Sequence, residues 1–345
     1  MTNFAQTYCT VRDLISDAQA PIADEARLFQ AIREACDYIQ KEIGWFVPVT
    51  LTRGFQAPES VVDLFVPPLL EVSTLTNETD TLSSVDYIAK PDGGHWSNGP
   101  YTKLTADPDS ALLSDWSDEV DGVSITGKWG LYNRTALLSA TVADTTQQSS
   151  SQLTLKLSSA GVVSPGMVLL IGSEQQWVTG WGDPTTSVTA LNGAITNTDE
   201  ILTVDDASLV QVGEIIRIDF EQMLVKDRNT STQKLFVLRG WNGTTRAAHL
   251  DNATLDVYRT VTVERGVNGT TAAIHANGTS ISRYVAPDDV QYLAKQIATL
   301  IVNKAKSGYQ GRTGNAETGV VFYNDAFPRF EIERVEECYA LPRFV

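Results

Sequence analysis

The sequence predicts an α+β chain: a small helical module with a short β section, interrupted by an all-β insertion domain and followed by an extended C-terminal arm. Two segments with helical periodicity, residues 24–43 and 287–306, lie near opposite ends of the chain. Between them, residues 133–284 form short strand-like runs separated by turn residues, which is typical of a sandwich or barrel. Residues 309–345 keep no sustained helical period, so we expect an arm there.

Composition limits the classes of function. The 345 residues are 42% hydrophobic and 20% charged, as in globular chains of two or three domains. The net charge of −16 opposes binding to free nucleic acid, which requires clustered Lys and Arg, but suits a surface that DNA passes without adhering. No run of about 20 apolar residues occurs, so no membrane contact is expected. The three cysteines form no CxxC pair, which indicates reduced, buried thiols rather than a zinc site or disulfide framework.

The first long helix is expected at residues 24–43, after a shorter helix at about 10–18. Asp24 can cap it, and Glu25 suits the positive end of the helix dipole. Gly44 is a typical stop. The apolar positions that share one face are Leu28, Ile32, Ala35, Cys36, Ile39 and Ile43.

A short β section follows, up to residue 132. Strand-like runs occur at about 46–55, 61–66, 69–75, 84–89 and 123–126, and Pro67 and Pro68 are interpreted as the stop of the second run. Together with the last helix, this section is predicted to complete a discontinuous helical module of residues 1–132 and 285–308.

The predicted insertion domain, residues 133–284, includes a polar Ser/Thr/Gln-rich linker at residues 141–152, interpreted as a domain boundary, and contains internal repeats beyond it. Residues 164–171 resemble residues 211–218, and each segment is followed by a Glu-Gln pair. A sharper repeat relates Arg-Gly-Trp-Asn-Gly-Thr-Thr at 239–245 to Arg-Gly-Val-Asn-Gly-Thr-Thr at 265–271. Asn-Gly after a strand predicts a tight turn with positive φ, so structural duplication is favoured over a ligand-binding loop.

The second long helix is predicted at 287–306. Pro287 suits its first turn, while Asp288 and Asp289 lie at the positive end of the dipole. Lys304 and Lys306 suit the negative end, and they are the nearest approach to a basic cluster in the chain.

No motif carries catalytic chemistry, so no catalytic, cofactor-binding or metal-binding residue is predicted and the chain is expected not to be an enzyme. Residues 122–128 have the spacing of a phosphate-binding loop, but Trp129 stands where Ser or Thr would bind Mg²⁺, and the run alternates like a strand. Residues 117–122 resemble a calcium loop without its first Asp. The three histidines have no metal-ligand spacing.

Several outer segments resemble bacteriophage head–tail connector proteins, also called adaptors. Residues 23–48 resemble the family's helix followed by an aromatic residue, and residues 52–55 and 64–68 resemble the strand and proline stop that follow. Residues 123–132 resemble its closing strand, and residues 286–290 the start of its last long helix. The resemblance covers residues 1–132 and 285–345. In the family these parts lie close in sequence, whereas here residues 133–284 separate them.

The resemblance implies a virion protein made in the host cytoplasm and located in the neck. Its copies would form a ring, commonly a dodecamer, under the portal protein. The ring would join the capsid to tail or tail-nozzle proteins and let DNA pass through its channel. No cofactor is implied.

The resemblance also implies that the C-terminal arm, residues 309–345, reaches the portal or a neighbouring copy. Aromatic and Arg residues are enriched in the arm, as they are at interface anchors. A tail that packs on its own domain is the simpler alternative. The predicted interface residues are Phe327, Arg329, Phe330, Arg334, Tyr339, Arg343 and Phe344.

Two other functions compete with the connector. A fibre-anchoring or glycan-binding module would use the β insertion, with Trp177, Trp181 and Trp241 as an aromatic platform. Burial in the core is the more frequent role for such residues. The other competing function is that of a cell-wall hydrolase.

Overall fold

A computed structural model of the chain describes residues 4–17, 24–91, 100–143, 149–306, 312–315, 319–322 and 328–339. Its helices are Val11–Asp17 (α1), Glu25–Glu42 (α2), Asp288–Lys306 (α3) and Arg329–Tyr339 (α4). The described residues are 40% strand and 20% helix. The predicted α+β fold, a small helical module with a short β section, is therefore wrong: the described residues are mostly β, arranged in three six-stranded antiparallel sheets.

The first sheet occupies the segment predicted as a short β section. Its strands are Val49–Phe55 (β1), Asp63–Asn77 (β2), Asp80–Leu82 (β3), Tyr87–Pro91 (β4), Tyr101–Ala106 (β5) and Val123–Trp129 (β6). They lie in the order β1-β6-β2-β5-β4, with β3 beside β2. Alternate residues of β6 are buried, and Trp116 and Leu113 from the preceding loop join the same core.

The prolines do not end β2, contrary to the prediction. The pairing of β2 with β5 shifts register between Phe65 and Leu69, and Pro67 and Pro68 lie within this irregularity. A bulge tolerates proline because it already lacks the regular ladder hydrogen bonds. The strand therefore continues to Asn77, and it joins the two runs that the prediction separated at these prolines.

Two further sheets lie between β6 and α3. In chain order their strands are Thr135–Thr141 (β7), Thr154–Lys156 (β8), Val168–Ile171 (β9), Glu174–Trp181 (β10), Thr185–Ala190 (β11), Ile201–Thr203 (β12), Ile215–Ile218 (β13), Glu221–Asn229 (β14), Lys234–Trp241 (β15), Thr254–Val257 (β16), Thr260–Arg265 (β17) and Ser280–Tyr284 (β18). One sheet has the order β7-β18-β9-β10-β17-β8, and the other β11-β16-β13-β14-β15-β12.

These two sheets have the same topology. If the strands of each sheet are counted along the chain, both have the spatial order first, sixth, third, fourth, fifth, second. The sheet of residues 182–259, which we call the inner domain, lies in the connection between β10 and β17. The other sheet, residues 135–181 and 260–284, is the outer domain. The internal repeats are thus two nested domains, which agrees with the predicted structural duplication.

The helices pack in one core, although α2 and α3 are far apart in the sequence. Buried residues of α1, α2, α3 and α4 belong to a single apolar cluster, together with the segment around Ala5 and Tyr8. The predicted face of α2 is buried from Leu28 to Ile39, and the Asp24 side chain accepts a hydrogen bond from the Arg27 backbone as its cap. Among the described residues, no helix is both long and apolar enough to span a membrane.

The C-terminal part is not simply an extended arm. Strands Arg312–Asn315 (β19) and Gly319–Phe322 (β20) form an antiparallel pair, and α4 follows them. Ile332 and Val335 of α4 are buried in the helical core. The helix was missed because only these two apolar residues, three positions apart, mark its buried face.

Candidate functional site

Each β domain buries one carboxylate at the start of its fourth strand. These are Glu174 in β10 and Glu221 in β14, with exposed fractions of 0% and 1%. Removing a carboxylate from water costs several kcal/mol unless ionic partners and hydrogen bonds replace the lost hydration. The surroundings of both groups meet that requirement.

In the inner domain, Arg239 binds Glu221 through two hydrogen bonds. Nε donates to Oε1 at 2.7 Å and Nη2 donates to Oε2 at 2.6 Å. The backbone N–H groups of Gly240 and Ala247 add bonds of 3.1 and 3.0 Å. The His249 ring contacts Oε2 through Nε2 at 3.0 Å. Glu221 is thus enclosed by five nitrogen atoms from four residues.

The outer domain repeats this arrangement around Glu174. Arg265 donates from Nε to Oε1 at 2.6 Å and from Nη2 to Oε2 at 2.8 Å. Gly266 and Ala273 supply backbone N–H groups at 3.2 and 3.1 Å, and His275 Nε2 lies 2.6 Å from Oε2. We call these two groups the inner cluster and the outer cluster.

The arginines also tie distant loops together. Arg239 Nη1 donates to the carbonyls of Thr196 and Asp199, at 2.9 and 2.8 Å, just before β12. Arg265 Nη1 donates to the carbonyls of Ser149 and Gln152, at 3.2 and 3.1 Å, just before β8. Each cluster therefore anchors the loop that leads into the second strand of its sheet.

The surroundings keep both carboxylates ionised. Burial alone would raise the pKa of Glu221, but the hydrogen bonds from Arg239, Ala247 and His249 outweigh burial and lower the pKa to about 2. The pKa of Glu174 is lowered against the same effect of burial, by the equivalent partners led by Arg265. A general base needs a lone pair that substrate can reach, whereas these carboxylates are occupied by internal donors. We interpret the clusters as structural.

The repeated Asn-Gly sequences form the turns that follow β15 and β17. Asn242 and Asn268 have φ values of 53° and 55°, a backbone region that Asn tolerates better than most residues. Within each turn a threonine hydroxyl accepts from the backbone of the Gln after the buried Glu. These bonds join Thr244 to Gln222 at 3.0 Å and Thr270 to Gln175 at 2.9 Å.

The outer turn holds the start of the described chain. Asn268 Oδ1 accepts from the Ala5 backbone N–H at 2.8 Å, and Asn268 Nδ2 donates to the Ala5 carbonyl at 3.0 Å. Asn268 Nδ2 also donates to Gln175 Oε1 at 2.8 Å, and Gln175 Nε2 donates to the Pro48 carbonyl at 2.9 Å. One turn thus fixes the segment before α1 and the entry to β1.

The inner turn holds the start of α2. Asn242 Oδ1 accepts from the backbone N–H of Glu25 at 2.9 Å. The Glu25 carboxylate accepts from the indoles of Trp241, at 3.1 Å to Oε1, and Trp181, at 2.8 Å to Oε2. Burial raises the pKa of Glu25 despite these donors and the charge of Arg12. A helix terminus and both β domains therefore meet at one side chain.

Arg12 of α1 makes a second bridge between the modules. Its guanidinium donates to the carbonyl of Gly161 in the outer domain and to the carbonyl of Gly213 in the inner domain, the latter at 2.8 Å. Beside it, inner-domain Glu214 accepts from the Ala160 backbone at 3.3 Å and from Arg259 Nε at 2.7 Å. The two domains and the helices are thus joined by charged and backbone groups.

The seven predicted interface residues differ in where the structure places them. Arg329, Phe330 and Arg334 are exposed on α4, Phe330 to 71%. Tyr339 packs inward: its hydroxyl donates to Asp289 Oδ1 at 3.1 Å, and its ring lies edge-on to Phe46 with centroids 4.9 Å apart. The remaining three, Phe327, Arg343 and Phe344, lie outside the described residues.

The other sequence motifs take structural positions. Residues 122–128, which have the spacing of a phosphate-binding loop, overlap β6. This strand pairs with both β1 and β2 and begins no helix. Trp177 and Trp241 of the proposed aromatic platform are 4% and 1% exposed and donate their indole N–H groups internally. Within the described ranges, no group of His, Cys, Asp and Glu could hold a metal ion.

Sequence reasoning found the repeats but not their chemistry. The Glu-Gln pairs and the Arg-Gly sequences recur together, so a buried Glu–Arg pair in each repeat could have been inferred. No comparable signal marked Arg12 or Glu25, because nothing nearby in the sequence indicates the domains that contact them.

Comparison with known proteins identifies no family. No protein-family model matches the chain, and neither a curated protein nor a solved structure does. The assignment of function therefore rests on the chain's own residues.

Proposed function

We propose that this chain is a non-catalytic structural subunit of a tailed-bacteriophage neck. In this proposal it is a head–tail connector whose copies form a ring under the portal, join the capsid to the tail and let DNA pass. The observation that carries the proposal is the packing of α2 against α3 in one core, across more than 240 intervening residues. The resemblance to connectors implies that these two helices, although far apart in the sequence, pack together.

The buried chemistry supports a scaffolding role. Glu174, Glu221, Arg239 and Arg265 are used to join loops inside each β domain. Arg12 and Glu25 join the helices to both domains. These polar groups therefore position the helices and the two β domains relative to one another, as a structural subunit of an assembly requires.

The surface supports the same proposal. The net charge of −16 suits a conduit that DNA crosses without adhering. On α4, Arg329, Phe330 and Arg334 form an exposed aromatic and basic set that suits a neighbouring copy or the portal. Heterologous contacts of this kind close into rings without a self-complementary patch.

The test is the oligomeric state of the purified full chain, alone and with portal protein, by native mass spectrometry and negative-stain microscopy. We expect rings, or a monomer that assembles into a ring only on the portal. The double variant Phe330→Asp, Arg334→Glu should abolish the ring while leaving circular dichroism unchanged. Phe65→Asp, at a residue 47% exposed on the first sheet, is the matched control and should still assemble. A tight dimer without portal affinity would contradict the proposal.

A further inference from the structure

The two nested domains can be compared with each other, because they share a strand order and a buried cluster. They differ at the hairpin that joins their third and fourth strands. The outer hairpin has Gly172 and Ser173, where the inner hairpin has Asp219 and Phe220. After the histidine that both domains share, the outer domain has Ala276, whereas the inner domain has Leu250.

The inner hairpin therefore carries an aromatic side chain where its duplicate has a serine. Beside the histidine each domain exposes one apolar residue, which in the outer domain is Ile274, 65% exposed. Phe220 is 95% exposed and Leu250 is 80% exposed. Phe220 borders an open depression of about 660 Å³, which Asp219, Thr244, Thr245, Ala247 and His249 also line. The outer domain builds the same cluster with Ser173, so the fold does not require an aromatic residue here. An exposed aromatic residue at the rim of a depression is the kind of side chain that anchors a partner.

The hairpin is held rigidly at its base. Ile218 pairs with Glu221, which is fixed by the inner cluster, and Asp219 adopts a φ of 52° between them. His249 Nδ1 lies 2.8 Å from Asp219 Oδ2, so the carboxylate is oriented by a buried ring. A surface that is already ordered loses little conformational entropy when a partner binds.

The charge of the depression favours a cationic partner. The Asp219 side chain is 64% exposed, and its Oδ1 makes no hydrogen bond within the part of the chain that the structure describes. Glu221 and Arg239 neutralise each other beneath it. The chain's net charge of −16 would also attract basic partners.

We propose that the inner hairpin, with Phe220 and Asp219, binds an extended basic and apolar segment of a different protein. An aliphatic or aromatic side chain of that segment packs against Phe220, while an adjacent Arg or Lys pairs with Asp219. This site goes beyond the proposed connector function and does not depend on ring formation.

The experiment measures fluorescence anisotropy of labelled synthetic peptides titrated with the full chain. The probe is Gly-Ser-Leu-Arg-Phe-Ser-Gly, and the matched peptides replace its centre with Leu-Glu-Phe or Ser-Arg-Ser. We expect the Leu-Arg-Phe peptide to bind most tightly and to weaken with added salt. Phe220→Ser, which installs the outer-domain residue, should weaken binding by roughly tenfold or more, as for an aromatic anchor.

The second variant and the control separate the two contacts. Asp219→Asn should remove the preference for Arg over Glu while keeping part of the apolar binding. Val85→Ser removes an apolar residue that is 74% exposed in the turn between β3 and β4 and should leave binding unchanged. Equal binding of all three peptides, no binding of any, or unchanged binding by Phe220→Ser would overturn the proposal. Self-association that Phe220→Ser abolishes would overturn it in favour of a second copy.

Discussion

At the scale of single residues, the feature that both β domains share is a buried carboxylate enclosed by internal donors. Glu221 and Glu174 occur at equivalent places, and each binds an arginine through two hydrogen bonds. Such a pair adds little stability compared with apolar residues, but breaking it leaves an uncompensated buried charge. The clusters should therefore dominate the response of the β domains to mutation and to acid.

The pH dependence of stability follows from the lowered pKa of Glu221. Its pKa falls from 4.5 to about 2 on folding, so its contribution is fully present above pH 4.5 and is lost as pH falls toward 2. The difference corresponds to about 3 kcal/mol. The lowered pKa of Glu174 also makes the folded chain less stable as pH falls. The raised pKa of Glu25 has the opposite effect on stability. Urea unfolding at several pH values measures the net effect.

The variant Glu221→Gln isolates the inner cluster. It keeps the shape but leaves the Arg239 guanidinium without a counter-charge, so we expect a loss of roughly 3–5 kcal/mol at pH 7. The dependence on pH between 4.5 and 2 should become shallower. Glu200→Gln is the control, because Glu200 is 59% exposed and pairs with Arg246 only at 3.6 Å. Equal losses in both variants would contradict the assigned role of Glu221.

At the scale of elements, the two Asn-Gly turns act as clamps on the helical core. The outer turn holds Ala5 and, through Gln175, Pro48, while the inner turn holds the first residue of α2. The two asparagines differ in their contacts, since Asn268 is fully buried with three hydrogen bonds that include both backbone groups of Ala5. Asn242 is partly exposed and makes one bond to Glu25.

The matched variants Asn268→Gly and Asn242→Gly test this difference. Glycine tolerates the positive φ of both turns, so each substitution removes the side-chain contacts without backbone strain. We expect Asn268→Gly to cost about 2–4 kcal/mol, because it leaves buried backbone groups unpaired, and Asn242→Gly about 1 kcal/mol. Chemical denaturation measures both. A larger loss in Asn242→Gly would show that the inner turn is the stronger clamp.

At the scale of the whole molecule, one domain is inserted into a hairpin of its own duplicate. The entry and exit of the inner domain lie side by side, since the Gly182 backbone donates to the Thr260 carbonyl at 2.9 Å. Adjacent ends allow an insertion with little distortion of the host sheet. The inner domain has its own apolar core, separate from that of the outer domain.

Excision of residues 183–258, with an Asn-Gly turn in their place, should therefore leave the outer sheet folded. Stability should fall, because Glu25 loses its contacts to Trp241 and Asn242. Hydrogen exchange should still show protected amides in β9, β10 and β17. The fragment 183–258 expressed alone should show a cooperative thermal transition. Loss of protection throughout the outer sheet would contradict the independence of the two domains.

The sequence by itself determined the local features. The helices α2 and α3 follow from apolar periodicity and end signals, and the Asn-Gly turns and the duplication follow from repeated residues. Each of these depends on neighbours a few positions apart, so it can be identified from the sequence. The function, the arm contacts and the domain limits of 1–132 and 285–308, 133–284 and 309–345 stay predictions.

Only the tertiary structure decided how these parts combine. It continued β2 through Pro67 and Pro68, separated the β insertion into two nested sheets, and made a helix of residues 329–339. It also paired Glu174 with Arg265 across 91 positions and placed Arg12 and Glu25 against both domains. Strand pairing and burial of charge join residues far apart in the chain, and their energies depend on the whole arrangement rather than on adjacent residues.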